Sequence, residues 1–389
     1  MRHTVDSVFA DERIQHAFRW IARNEPEIEA DQIRITLVAA PPFGESERAE
    51  VFCGDLRRLE FRPVTDAIGN VVAAFDNFGP NPVVIGAHLD TVFPRSTALE
   101  LRRRGRMLHL PGISDNGAGL VALLWMLRAA REAGLRFGRP VIAIANVGEE
   151  GPGNLRGIRH VFNAPPWEHR SCEFIAVDGA GVQRITHQAL GSRRFRIRMS
   201  GPGGHSWADF GRPNPAHALS SAIHHFTNGG FNRRPGTSFN VGVLRGGISV
   251  NAIPIEALAE IDLRSVAPQN LDDMEFHLRR VSEDAASAAG VECRMESMGE
   301  RPPGKTPSQS RLVQAAMEVT RMLGVEPQLD VGSTDANIPM SMGIPAIAIG
   351  GGGSSGNVHT PEEWFDPANR VLGLQRLLAL VGMLAGIEK

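Results

Sequence analysis

Short, nearly continuous apolar runs alternate along this chain with stretches in which apolar residues recur every three or four positions. The runs lie at Gly69–Phe75, Val83–Asp90, Val141–Val147, Glu173–Val177 and Pro345–Gly350. Runs of this length without polar alternation suit strands buried on both faces of a sheet. Helical spacing occurs at 8–23 (Phe9, Ile14, Phe18, Ile21), at 46–59 after the turn signal Pro41-Pro42-Phe43-Gly44, and at 118–132 (Leu120, Leu123, Leu124, Leu127). Two further helical stretches, 310–323 and 367–387, flank the last apolar run. A loop is expected after Asp90, and an irregular, Pro-containing segment between 147 and 173. Buried strands alternating with helices predict an α/β fold with a central mixed, mostly parallel sheet.

From about Arg193 the pattern changes. Arg194–Met199, Ser238–Leu244, Ile255–Arg264 and Val291–Glu296 alternate as half-exposed strands do, with helices expected at 215–227 and 272–289. The order β-α-β-β-α-β reads as a ferredoxin-like unit. It predicts an inserted domain over 190–299 and a discontinuous main domain formed by 1–189 and 300–389.

Composition narrows the function classes. With 389 residues, 42% hydrophobic and 22% charged, the chain is of ordinary globular type. A net charge of −2 gives no field that would favour nucleic acid or an anionic membrane. The basic run Arg102-Arg103-Arg104-Gly105-Arg106 reads as a solvated loop. Three widely spaced cysteines, Cys53, Cys172 and Cys293, argue against a disulfide framework and fit a reducing compartment. Residues 1–20 lack the apolar core of a signal peptide, and no apolar run is long enough to span a bilayer. A cytoplasmic protein is therefore expected.

The chemistry collects at strand ends, where open α/β sheets bind ligands. His88 and Asp90 follow one strand, Glu149 and Glu150 another, and Asp178 a third. Asp115 precedes a helix, and His359 lies shortly after the run that ends at Gly350. Each has an ordinary structural explanation: Asp115 as a helix cap, Asp178-Gly179 as a turn, Glu149 and Glu150 as solvated acids. Those explanations would have to hold together at one edge of one sheet. Two adjacent buried carboxylates repel each other and call for a cation nearby. An inventory this rich in acids suits two divalent ions sharing a bridging carboxylate.

The segments Gly86-Ala87-His88-Leu89-Asp90, Gly112-Ile113-Ser114-Asp115, Gly148-Glu149-Glu150-Gly151, Val177-Asp178 and His359-Thr360-Pro361-Glu362 resemble, in order, the M20 family of metallopeptidases and amidohydrolases. The tripeptidase T-like branch is resembled most, in Ser333-Thr334-Asp335-Ala336-Asn337 and Asp115-Asn116-Gly117 among others. The resemblance spans essentially the whole chain, the inserted domain included. It implies a zinc-exopeptidase-like catalytic domain with an inserted lid and dimerisation domain. His88, Asp115 and Asp178 would hold one ion, and Asp115, Glu150 and His359 the other, with zinc expected and cobalt or manganese possible. Asp90 would orient an imidazole ligand. Glu149 would be the general base that activates a water held between the ions. In the inserted domain His205 would support the oxyanion of a partner's site across a homodimer, while Asn251 and Arg264 would bind substrate.

Two rivals are weaker. Gly352-Gly353-Ser354-Ser355-Gly356 matches the G-x-S-x-G of serine hydrolases, but no helix is expected directly after it. Its glycines read instead as letting backbone approach a bound substrate. A binding protein that had kept the fold and lost the chemistry should lack the base or a ligand, and none is missing. The resemblance implies hydrolysis of amide bonds in short peptides by an aminopeptidase or tripeptidase-like enzyme. Carboxypeptidase, dipeptidase and N-acyl amino acid deacylase activities would use the same site.

Overall fold

The computed structural model describes residues 4–163 and 172–388. The chain separates into two compact units, Met1–Ala189 with Lys305–Lys389, and Leu190–Gly304.

In the first unit the apolar runs form the middle of one sheet. Val141–Asn146, Val83–His88, Glu173–Val177 and Ala346–Ile349 lie side by side in parallel. Val71–Ala74 pairs antiparallel with Val141–Asn146, and Arg184–Ala189 pairs antiparallel with Ala346–Ile349. Gln328–Gly332 runs parallel to Arg184–Ala189. The sheet is therefore mixed, with a parallel centre. Strand geometry explains the unbroken apolar runs, because successive side chains enter opposite layers. Val83, Ile85, Ala87, Ala143 and Ile347 join a core shared with helices Gly117–Glu132, Arg311–Met322 and Arg370–Ala385. Val84, Ile142, Ile144 and Phe174 join a second core with Ile158, Phe162, Ile338 and Met340 from helices Arg156–Asn163 and Asn337–Ser341. Burying each such Val, Ile or Phe contributes about 1.5–3 kcal/mol.

Several elements depart from expectation. The 8–23 helix is two helices, Val5–Phe9 and Glu12–Arg23, because Asp11 caps the second by accepting from the Arg13 amide at 2.8 Å. Helix Glu25–Thr36 was not foreseen. The expected loop after Asp90 contains a short hairpin, Arg102–Arg104 against Met107–His109. Helix Arg156–Asn163 occupies part of the segment expected to be irregular. The Pro165-Pro166 part of that segment lies outside the described residues.

In the second unit the strand order is Thr237–Gly246, Glu256–Ser265, Gly191–Ser200, Glu292–Arg301, every pair antiparallel. Helices Pro215–Thr227 and Pro268–Ala289 lie between consecutive strands in the chain, which gives β-α-β-β-α-β with the second-third-first-fourth order of a ferredoxin-like sheet. Phe195, Ile197 and Met199 pack with Leu219, Phe226, Leu271 and Leu278 of those helices. The outward positions carry charge: Arg194 lies opposite Asp262 and Arg196 opposite Glu260, while Arg198, opposite Leu258, reaches diagonally to ion-pair with Glu256.

Candidate metal centre

Parallel strands that share a direction bring their carboxyl ends to one edge, and the predicted ionisable residues meet there. Among the described residues, three groups have ligand atoms within 4.8 Å of one another: His88 with Asp115 and Asp178; Asp115 with Glu150 and His359; and His88 with Glu149 and Glu150. Asp115 belongs to both of the first two. Its Oδ1 lies 3.0 Å from His88 Nε2, and its Oδ2 lies 3.0 Å from His359 Nε2. His359 Nε2 is also 3.1 Å from Glu150 Oε1, and His88 Nε2 is 3.6 Å from Asp178 Oδ1. Glu149 and Glu150 are both buried.

These groups fit divalent cations. His88 Nδ1 lies 3.0 Å from the Asp90 carbonyl oxygen. Donation there fixes the tautomer and turns the Nε2 lone pair toward the carboxylates. Asp115 Oδ1 is buried and makes no hydrogen bond of ordinary geometry, although His88 Nε2 is close. A buried carboxylate oxygen left without a hydrogen-bond donor, beside converging imidazole and carboxylate groups, is the arrangement a cation requires. Electrostatics agree. Burial lowers the His88 pKa, but Asp115 and Asp178 more than offset it and hold the imidazole well above its ordinary value. Hydrogen bonding to Asp115 and Glu150 raises His359 to about 10. Burial raises Glu150. Burial acts the same way on Asp115, yet its contacts with His359 and His88 hold it below the carboxylate range. In the metal-free protein, protons on the imidazoles supply the positive charge that the acids demand.

Asp90 is placed differently from expectation. Its carboxylate is 3.7 Å from His88 Nδ1, and the imidazole meets its main-chain oxygen instead. The two carboxylate oxygens accept from the amides of Glu149 at 2.9 Å and Glu150 at 2.8 Å. Asp90 thus holds the turn that presents both glutamates. Sequence reading missed further supports. Buried Arg48 donates to the carbonyls of Thr36, Val38 and Leu89, beside the His88–Asp90 segment. Asn116 caps helix Gly117–Glu132 through the Gly119 amide and also accepts from the Gly179 amide, joining the Asp115 and Asp178 segments. Asn146, at a strand end, donates to Asp335 at 2.8 Å, and burial pushes the Asp335 carboxyl up to about 7. Glu363 accepts from the amides of Gly112, Ser114 and Asp115. No motif spacing marks these roles, since most of them are served through main-chain atoms.

His205 and Asn251 lie together in the second unit. His205 pairs with Ala252 across a two-stranded ladder, and the Ser206 amide donates to the Asn251 carbonyl at 3.0 Å. Arg264 is engaged by Asp262 at 2.6 Å. Ser354 begins the short strand Ser354–Gly356, paired with Trp364–Asp366, so the strand–Ser–helix elbow of a serine hydrolase is absent there. The glycines before it are tightly packed: a Cβ on Gly352 would lie 2.5 Å from the Arg370 carbonyl oxygen, and one on Gly353 would lie 2.7 Å from that of Asp366.

Comparison with known proteins gives this cluster its setting. The sequence profile of peptidase family M20/M25/M40 matches residues 84–382. Among solved structures, a Staphylococcus aureus tripeptidase superposes with a TM-score of 0.78 at 20% identity, covering 93% of this chain and 99% of its own. The Bacillus cereus aminopeptidase PepT gives 0.77 at 19% identity, with coverage of 93% and 99%. The Bacillus subtilis YXEP protein, described as a dinuclear metal-binding peptidase of the M20 family, gives 0.71 at 16% identity, with coverage of 94% and 99%. The class is therefore that of hydrolases acting on peptide or amide C–N bonds. Within it, the chain belongs to peptidase family M20/M25/M40.

Proposed function

We propose that this protein is a two-metal exopeptidase of the aminopeptidase or tripeptidase type, acting on short peptides. The observation that carries the two-metal reading is that one carboxylate, Asp115, is common to two ligand triads of the kind a divalent ion takes. His88, Asp115 and Asp178 would hold one ion, and Asp115, Glu150 and His359 the other. Bound ions of this type lower the pKa of water and polarise an amide carbonyl. The side chains supply the rest. Glu149, fixed beside Glu150 by the Asp90 clamp, takes a proton from the attacking water and returns it to the departing amine. Asp90 acts by holding that turn and by offering its carbonyl to His88. Asn251 and Arg264 would bind substrate, and His205 would support the oxyanion across a homodimer formed by the inserted domain. The short-peptide assignment draws on the tripeptidase and aminopeptidase among the structural neighbours.

The test is a screen of the purified protein against di- and tripeptides and N-acyl amino acids, with and without chelator and with zinc, cobalt or manganese restored. Chelator-sensitive release of an amino-terminal residue from tripeptides is expected. Hydrolysis of N-acyl amino acids alone would replace the peptidase reading with a deacylase. Gel filtration of the active protein should give about twice the chain mass, and a mass near one chain would remove the across-dimer role of His205.

A further inference from the structure

We propose that Glu363 is a positioning residue for the shared ligand Asp115, and through it for both ions; this rests on the two-metal reading above. Glu363 is fully buried, yet it lies four residues beyond a side chain that is half exposed, His359. Its Oε2 accepts from the Gly112 amide at 2.8 Å. Its Oε1 accepts from the amides of Ser114 at 2.9 Å and Asp115 at 3.1 Å. Both oxygens are occupied by main-chain donors, so Glu363 acts on the loop rather than on an ion. The loop is built around it. Gly112 has φ +80°, and a Cβ there would lie 2.8 Å from Thr91 Cγ2, so the chain curls with its amides directed inward.

The main chain of Glu363 completes the junction. Its carbonyl accepts from the Leu110 amide at 3.1 Å, and its own amide donates to the Thr360 carbonyl at 3.0 Å. Segments 110–115 and 359–363 are thereby locked to each other by side-chain and backbone bonds together. Each carries one ligand at its end, Asp115 and His359, whose Oδ2 and Nε2 lie 3.0 Å apart. His359 has φ +66°, a conformation that non-glycine residues hold only when their surroundings fix it. Its turn is fixed through Glu363. A displaced Asp115 carboxylate changes both triads at once, whereas loss of His359 changes one. That difference separates positioning of the bridge from loss of an ordinary ligand.

The test is competitive-chelator titration of zinc, and absorption titration of cobalt, on the parent protein, Glu363→Gln, Glu363→Asp and His359→Ala. Circular dichroism of each metal-free protein at the same temperature establishes that it is folded. Glu363→Gln keeps one acceptor oxygen but turns an NH2 toward an amide N–H. It should weaken both binding steps, each by about 10–100-fold, as loss of a ligand's supporting group does. The cobalt visible bands of both sites should shift. His359→Ala should weaken one step and leave the other within a few-fold of the parent. Glu363→Asp keeps the charge, and should fall between parent and Glu363→Gln; it also serves if Glu363→Gln does not fold. Unchanged affinities in folded Glu363→Gln and Glu363→Asp, or a change confined to one ion, would overturn the proposal. Fewer than two ions on the parent protein would overturn the two-metal reading by itself. Glu363→Gln would then still have to weaken the remaining ion for the positioning role to stand.

Discussion

Replacing Asp90 with Asn perturbs the turn that carries both Glu149 and Glu150 while changing almost no volume. Asp90 is fully buried, and each of its oxygens accepts one amide N–H, at 2.9 and 2.8 Å. Asparagine retains one acceptor and directs an NH2 at the other amide. A hydrogen bond to a charged group is worth about 1.5–3 kcal/mol, and a buried amide without a partner costs about 1–3 kcal/mol. Arg48, also buried, has its pKa pulled down by burial to about 10, with Asp90 as the opposing negative charge. Removing that charge leaves the guanidinium less well compensated. A destabilisation of about 3 kcal/mol follows. Urea unfolding of the metal-free protein, followed through the transition of the first unit, measures it. Metal titration should show weakened binding to the triad containing Glu150. A variant within about 0.5 kcal/mol of the parent would refute the clamp, because surface substitutions without a structural role lie in that range. If the carboxylate instead served to orient His88, stability would change little and the weakened ion would be the one bound by His88 and Asp178.

Gly119→Ala should be more damaging than its size implies, because a Cβ there would lie 2.1 Å from Asn116 Oδ1 and 2.3 Å from the Val177 carbonyl. A loss of about 2–4 kcal/mol by thermal unfolding, together with reduced metal content, is expected. Arg196→Ala removes a cross-strand partner of Glu260 on the charged face of the second unit, where both side chains are about a third exposed. Its cost should stay below about 1 kcal/mol by denaturant unfolding, as for other solvated pairs.

Much of the first unit is legible in the sequence because a strand buried on both faces leaves a continuous apolar run. The ionisable residue that ends such a run is then conspicuous, as with His88 after Val83–Ala87 and Glu149 after Val141–Val147. Helix Glu25–Thr36 is hidden for the opposite reason. Its buried face includes Gln32 and Thr36, and Gln32 donates to the Ile113 carbonyl at 2.7 Å, so polar residues stand where periodicity seeks apolar ones. The supports of the site are hidden as well. Asp90 and Glu363 act on main-chain amides, which every residue type except proline has, so little in the residue pattern identifies their partners. The family resemblance implies that Asp90 orients an imidazole ligand; the fold meets the His88 imidazole with the Asp90 carbonyl and reserves the carboxylate for the glutamate turn.

The central claim divides adjacent residues between two tasks, Glu150 as ligand and Glu149 as base. Its most direct test is metal content and tripeptide turnover measured on the same preparations of Glu149→Gln and Glu150→Ala. Glu149→Gln should retain the parent's metal and lose at least about 100-fold in kcat, the scale on which a general base contributes. Glu150→Ala should lose both metal and activity. Glu149→Gln that sheds metal, or Glu150→Ala that keeps its full complement, would contradict that division.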